Sequence, residues 1–176
     1  MDRNGKIHIY MGEGKGKTTA AAGLAVRCAG TGGQVLFGQL MKSMDSGELV
    51  AFEEIDAIQM MPAPGFFGFT WEMTQADKEA AVVLYRQYLE SLAFRANQGN
   101  YRMIVLDEAI SAVTAELLSE EDLLDWIDQL PDEAEVVLTG RYPSEKMIEA
   151  ADYVTEMRKV KHPFDKGLNA RRGIEF

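Results

Sequence analysis

With a single cysteine, Cys28, the chain has no second thiol to pair with. That excludes a disulfide framework and fits a reducing compartment such as the cytoplasm. Basic residues are outnumbered, 18 Lys and Arg against 28 Asp and Glu, which gives a formal net charge of −10. A surface of that sign argues against a nucleic-acid backbone or an anionic membrane as the main partner, although a local basic pocket can still hold a small anion. No apolar run approaches bilayer length, and the opening residues MDRNGKIHIYMGEG lack the apolar core of a signal peptide. Repeats, low-complexity tracts and linkers are also missing. What remains is 176 residues at 47% hydrophobic and 26% charged, the balance of one globular domain over 1–176. A chain of this length buries about 70% of its unfolded surface and needs no metal or disulfide to fold.

Short apolar runs alternate with longer helical patterns, which is how a mostly parallel sheet wrapped by helices reads, an α/β domain in three layers. Strands are expected over 6–11, 34–41, 57–61, 102–107, 135–140 and 152–158. Four of these are nearly continuous apolar runs, the mark of strands covered on both faces. A helix over 74–97 would carry Ala81, Leu84, Tyr88 and Leu92 as its buried stripe. Ser119 with Asp122 resembles a capping box ahead of Leu123, Ile127 and Leu130, and Ser144 is placed to open another helix. Segments 62–73 (PAPGFFGFTWEM) and 161–176 have neither period. Irregular apolar segments of this kind usually cover something, so both are site candidates.

The most informative segment is Gly12-Glu13-Gly14-Lys15-Gly16-Lys17-Thr18-Thr19, which follows the first strand and opens a helix starting AAAGLAVR. Its glycines let successive amides converge on an anion, and the helix N-terminus and Lys17 add positive charge. Thr18 offers a hydroxyl to a Mg²⁺ (or Mn²⁺) carried on nucleotide phosphates. The general phosphate-loop pattern wants glycine five positions before Gly16, where Met11 stands; Gly12 makes this loop one residue short. Met103-Ile104-Val105-Leu106-Asp107-Glu108 supplies an apolar strand ending in two carboxylates, at the edge where ligands of open α/β sheets bind. One of them can hold the metal beside Thr18. These residues imply nucleotide binding and leave the reaction open between phosphoryl transfer and other uses of ATP.

Taken together, YMGEGKGKTTAAAGLAVRCAGTG (10–32), GFTW (68–71), VLDEAISAV (105–113), LTGRYP (138–143) and VKHPFDKGLNARRGIEF (160–176) resemble the P-loop ATP:corrinoid adenosyltransferases. The shortened GxGKGKTTAA loop is itself typical of that family. The resemblance implies a P-loop NTPase-type fold related to the RecA core. It also implies transfer of the 5′-deoxyadenosyl group of ATP to the Co(I) of a corrinoid, with triphosphate as leaving group. Such a reaction needs positive charge at the triphosphate and alignment of two large substrates, and no general base. Two alternatives stay beside it, a small NTPase or kinase cleaving the terminal phosphate and a corrinoid carrier without transfer activity.

Carried over residue by residue, the resemblance gives ATP to Gly12, Glu13, Gly14, Lys15, Gly16, Lys17, Thr18 and Thr19. The metal falls to Thr18 and Glu108 with Asp107 beside them, and the chemistry to Lys17, Glu108 and Arg141. The corrinoid falls to Arg27 and to Phe69 and Trp71, aromatics at its lower face. His8 reads as structural, and His162 is a residue of the tail motif. A homodimer and a flavoprotein electron donor are further implications. Departures are the expected lack of an N-terminal covering segment, the unusual PAPGFF before GFTW, and 39–48 (QLMKSMDSGE), where Ser43 replaces the usual glycine and leaves Lys42 without an assigned role.

Overall fold

A computed structural model describes residues 3–42, 46–65 and 73–175. Six strands form one sheet: β1 (Ile7–Met11), β2 (Gln34–Gln39), β3 (Ile58–Met61), β4 (Tyr101–Asp107), β5 (Glu135–Gly140) and β6 (Tyr153–Glu156). Their order is β3-β2-β4-β5-β1-β6, and every neighbouring pair is parallel. All strand C-termini therefore open on one edge, and β5 separates the strand that leads into the glycine loop from the strand that ends in Asp107.

The side-chain alternation of the strands builds the three layers. Leu36, Ile104, Leu106, Val136 and Leu138 face one way, into a core with α3 (Gln75–Gln98), α4 (Ala109–Thr114), α5 (Glu120–Asp128) and α6 (Glu145–Ala150). Val35, Phe37, Met103, Val105 and Val137 face the other, against α1 (Lys17–Gly30) and Phe52 of α2 (Gly47–Glu53). Burial on both faces explains why these strands read as unbroken apolar runs. Each such Val, Ile, Leu or Phe contributes about 1.5–3 kcal/mol on leaving water.

The expected strands are all present; β1, β2, β3 and β6 are shorter than expected, β5 matches, and β4 begins one residue earlier, at Tyr101. β2 stops at Gln39 rather than at 41, because Met41 turns into the left-handed region at φ 54°. β6 covers four residues, all exposed, as suits an edge paired with β1 alone. The 74–97 helix runs over Gln75–Gln98 behind a full capping box of Thr74 and Asp77. Its stripe is corrected: Leu84 is half-buried, while Tyr85, Tyr88, Leu89 and Leu92 are buried. Phenols can be buried here because backbone groups receive them. Tyr88 Oη donates to the Met61 carbonyl (2.5 Å) and accepts from the Gln39 amide (3.1 Å). Ser119 and Ser144 accept from the amides of Asp122 and Met147 as N-caps. The short helices α2 and α4 had no counterpart in the sequence expectation.

Arg3 closes the end of the sheet opposite the site. It is buried, and its guanidinium donates to the carbonyls of Ile127 (2.8 Å), Pro131 (2.8 Å) and Ala134 (3.2 Å). These groups lie where the chain passes from α5 into β5, so one side chain holds that turn. Arg3→Ala is expected to lower the unfolding free energy by about 2–4 kcal/mol in urea titrations, because it removes several buried hydrogen bonds from a charged donor. A loss below about 1 kcal/mol would contradict this role.

Candidate active site

The glycine loop lies between β1 and α1 and is braced from behind. Gly14 donates its amide to the Met157 carbonyl (2.6 Å), and a Cβ at Gly14 would fall 2.4 Å from that same oxygen. Gly12 (φ 111°) and Gly16 (φ 117°) take left-handed conformations that strain any other residue. The loop is therefore pressed against the chain just after β6, where no side chain fits. Lys17, the first residue of α1, is buried and folds its ammonium over the loop to the Gly14 carbonyl (2.9 Å). Burial lowers its pKa, and the Arg141 charge lowers it further; Glu108 and Asp107 act in the opposite sense. Four predicted site residues thus share one electrostatic environment.

Asp107 lies at the centre of that group, with 0% of its surface exposed. Its Oδ1 accepts from Thr139 Oγ1 (2.6 Å) and from Thr18 Oγ1 (3.0 Å). Its Oδ2 lies 3.1 Å from Thr18 Oγ1 and 2.6 Å from Lys42 Nζ. Thr139 is the one polar side chain in the apolar run of β5, and its hydroxyl also accepts the Glu108 amide (2.9 Å). A buried carboxylate is tolerable only with such a full set of donors and a cation.

Lys42 is the residue that sequence left unassigned. Its Nζ reaches Asp107, Glu48 Oε1 (2.8 Å) and Thr18 Oγ1 (3.2 Å), with 19% of the side chain exposed. Gln39 Nε2 donates to the same Glu48 oxygen (2.8 Å). The approach is set by Met41, whose left-handed backbone is pinned by its amide donating to Tyr85 Oη (3.2 Å). Burial works against the Lys42 ammonium, but the Asp107 charge and the bonds to both carboxylates outweigh it and leave the pKa raised. For Glu48, burial is likewise outweighed, by Lys42 first, and its pKa is lowered.

Glu108 holds a left-handed backbone (φ 61°) as N-cap of α4, a conformation that costs a non-glycine residue about 1–2 kcal/mol. Its carboxylate takes no hydrogen bond from the described residues. Beyond β5, Gly140 (φ 148°) passes so close to α4 that a Cβ would lie 2.4 Å from the Ser111 amide. The following backbone is fixed by the Arg141 amide donating to Ser111 Oγ (3.2 Å) and by the Arg141 carbonyl accepting from Thr114 (2.9 Å). Tyr142 (φ 56°) then donates its hydroxyl to the Glu13 carboxylate, tying this segment to the glycine loop.

The remaining predicted residues fall in three places. Lys15 and Thr19 line an open cleft beside the loop, together with Thr18, Ala22, Gly47, Glu48 and the tail at Gly173, Ile174 and Glu175. Arg27 is exposed and lies roughly 15 Å along α1 from Lys17, at about 1.5 Å per residue, so it stands apart from the Asp107 group. Phe69 and Trp71 lie outside the described residues. His8 pairs with Glu135 (2.8 Å) and stacks on Tyr153, and His162 accepts the Phe164 amide (3.1 Å). Both histidines make local structural contacts.

The donor set bears on a nucleotide-borne metal. Among the described residues there is no group of three or more His, Cys, Asp or Glu that could cage an ion. A hydroxyl and a free carboxylate, Thr18 and Glu108, are hard oxygen donors that suit Mg²⁺ sharing its shell with phosphates. Asp107, with both oxygens already engaged, fits as the acceptor that orients Thr18.

A glycine loop between a parallel strand and a helix, with its threonine on a carboxylate at the sheet's C-terminal edge, places the chain in the P-loop NTPase-type α/β fold class. The sequence profile of the family described as ATP:corrinoid adenosyltransferase BtuR/CobO/CobP matches residues 3–176. The corrinoid adenosyltransferase of Escherichia coli K12 is 33% identical over 100% of this chain and 88% of its own length. That of Salmonella typhimurium LT2 is 34% identical, with 100% and 88% covered. That of Pseudomonas aeruginosa is 35% identical, with 99% and 85% covered. The chain belongs to the ATP:corrinoid adenosyltransferase family.

Sequence reasoning missed Thr139, Tyr142, Glu48 and Gln39, and placed Lys42 without a role. Thr139 had a visible signal, a lone hydroxyl at the end of an apolar strand. Because the Glu48 pKa is lowered in the folded state, its stabilising effect is complete above the ordinary carboxylate value of about 4.3 and fades as pH falls through the folded value. The wild type is expected to exceed Glu48→Gln in unfolding free energy at pH 7, with the gap narrowing below about pH 4. A gap that does not change with pH would contradict the Lys42–Glu48 assignment.

Proposed function

We propose that the reaction takes place at the sheet edge where loop 12–19 meets the ends of β4 and β5. There the 5′-deoxyadenosyl group of ATP passes to the Co(I) of a corrinoid, with release of triphosphate, as a step of cobalamin biosynthesis. The observation that carries this reading is the family match over residues 3–176. It is supported by the convergence of Lys17, Thr18, Asp107, Glu108 and Arg141 at one sheet edge.

The cobalt donates an electron pair to C5′, a Co–C bond forms, and the C5′–O bond breaks with its electrons passing to the triphosphate. No proton moves, so the absence of a histidine from this group is consistent with the chemistry. Loop amides and Lys17 hold the triphosphate and neutralise the charge it gains, where donors fixed in advance help most. Lys15 and Arg141 extend that positive field. Thr18 and Glu108 would hold the Mg²⁺, which when bound supplies charge neutralisation on the phosphates. Arg27, Phe69 and Trp71 are assigned to the corrinoid on their motifs, and a homodimer fed by a flavoprotein donor rests on the family resemblance alone. The low cysteine content supports a cytoplasmic location.

Anaerobic incubation with ATP, Mg²⁺ and cob(I)alamin is expected to yield light-sensitive adenosylcobalamin and one triphosphate per turnover. Lys17→Ala should lower kcat/KM by roughly 10²–10³, the scale for removing one fixed donor at a developing charge. ADP and phosphate with an unchanged corrinoid spectrum would overturn the reading in favour of a terminal-phosphate NTPase. Tight corrinoid binding with no Co–C bond formed would overturn it in favour of a carrier.

A further inference from the structure

Lys42 lies three residues beyond β2, outside the glycine loop, yet its ammonium is 2.6 Å from Asp107 Oδ2 and 3.2 Å from Thr18 Oγ1. Thr18 is the hydroxyl that the proposed metal position uses. A second carboxylate, Glu48, approaches the same ammonium to 2.8 Å and is steadied by Gln39. A lysine is thus surrounded by the hard oxygen donors of a cation site and neutralises them. The strained Met41 backbone and its bond to Tyr85 show that the fold holds the side chain in this direction.

From this geometry we propose that Lys42 is an internal counter-ion that neutralises Asp107 and Glu48 and so keeps free divalent metal from binding beside the Thr18 hydroxyl until a triphosphate brings the ion. The inference rests on the nucleotide–metal reading above. A free divalent ion entering beside Thr18 would meet the fixed ammonium within a few ångströms, in surroundings where like charges repel strongly. A nucleotide alters that balance, because its phosphates add negative charge and give both cations a partner. Metal then arrives only with the substrate that needs it. Lys42 acts here as a positioning residue, through Asp107 and Thr18.

Mn²⁺ titration followed by electron paramagnetic resonance tests this without reference to turnover. Wild type without nucleotide is expected to show no tight Mn²⁺ site. Lys42→Gln, which keeps a hydrogen-bond donor and loses the charge, should bind one Mn²⁺ at least about tenfold more tightly than wild type. Lys42→Arg should stay closed, and Lys42→Gln combined with Asp107→Asn should lose the gained site. Lys42→Ala, if folded by thermal melting, should behave as Lys42→Gln. Equal nucleotide-free Mn²⁺ affinity in wild type and Lys42→Gln overturns the proposal. A separate titration of wild type with Mn²⁺ and a non-reacting ATP analogue is expected to bind one ion. Its failure would overturn the nucleotide–metal reading itself, a different result from equal affinity without nucleotide.

Discussion

A fully buried carboxylate, Asp107, is the constraint on which the functional edge of this protein depends. Left alone in the interior it would cost several kcal/mol, so the fold must bring donors and a cation to it. Thr18 comes from α1, Thr139 from β5 and Lys42 from just beyond β2. Two segments distant in sequence, those carrying Thr139 and Lys42, are thereby fixed relative to the glycine loop. Thr139 also holds the Glu108 amide, so the free carboxylate beside Asp107 is oriented by the same hub.

The loop itself is held from the other side. β6 pairs with β1, and the chain leaving β6 offers the Met157 carbonyl to Gly14 while its amide bonds Met11. The loop's curvature is set by contact with a neighbouring strand end, and glycine is required where that contact is tightest. Tyr142 and Glu13 add a tie across its front, from a segment whose bend begins at Gly140. In the proposed reading such a preformed frame would hold the phosphates and leave little reorganisation for the moment of reaction.

Much of this was legible in the sequence because it is local. The loop and the strand 102–107 followed by Glu108 each lie within a few consecutive residues of recognisable pattern. The parallel sheet followed from unbroken apolar runs alternating with helices. Lys42 was not legible, since its role depends on β2 lying beside β4, with Gln39 in register with Asp107, and on the φ of Met41. The stripe of α3 was read correctly at Ala81, Tyr88 and Leu92 and missed Tyr85, which is buried with its hydroxyl accepting the Met41 amide, while Leu84 is only half-buried.

The Asp107 charge and the Lys42 ammonium stabilise each other in the folded state. A double-mutant cycle by urea unfolding measures that coupling directly, with Asp107→Asn, Lys42→Met and the combined variant at pH 7. A coupling of about 1–3 kcal/mol is expected, so that the double variant is clearly more stable than the sum of the two single losses implies. Additivity within about 0.5 kcal/mol would contradict it.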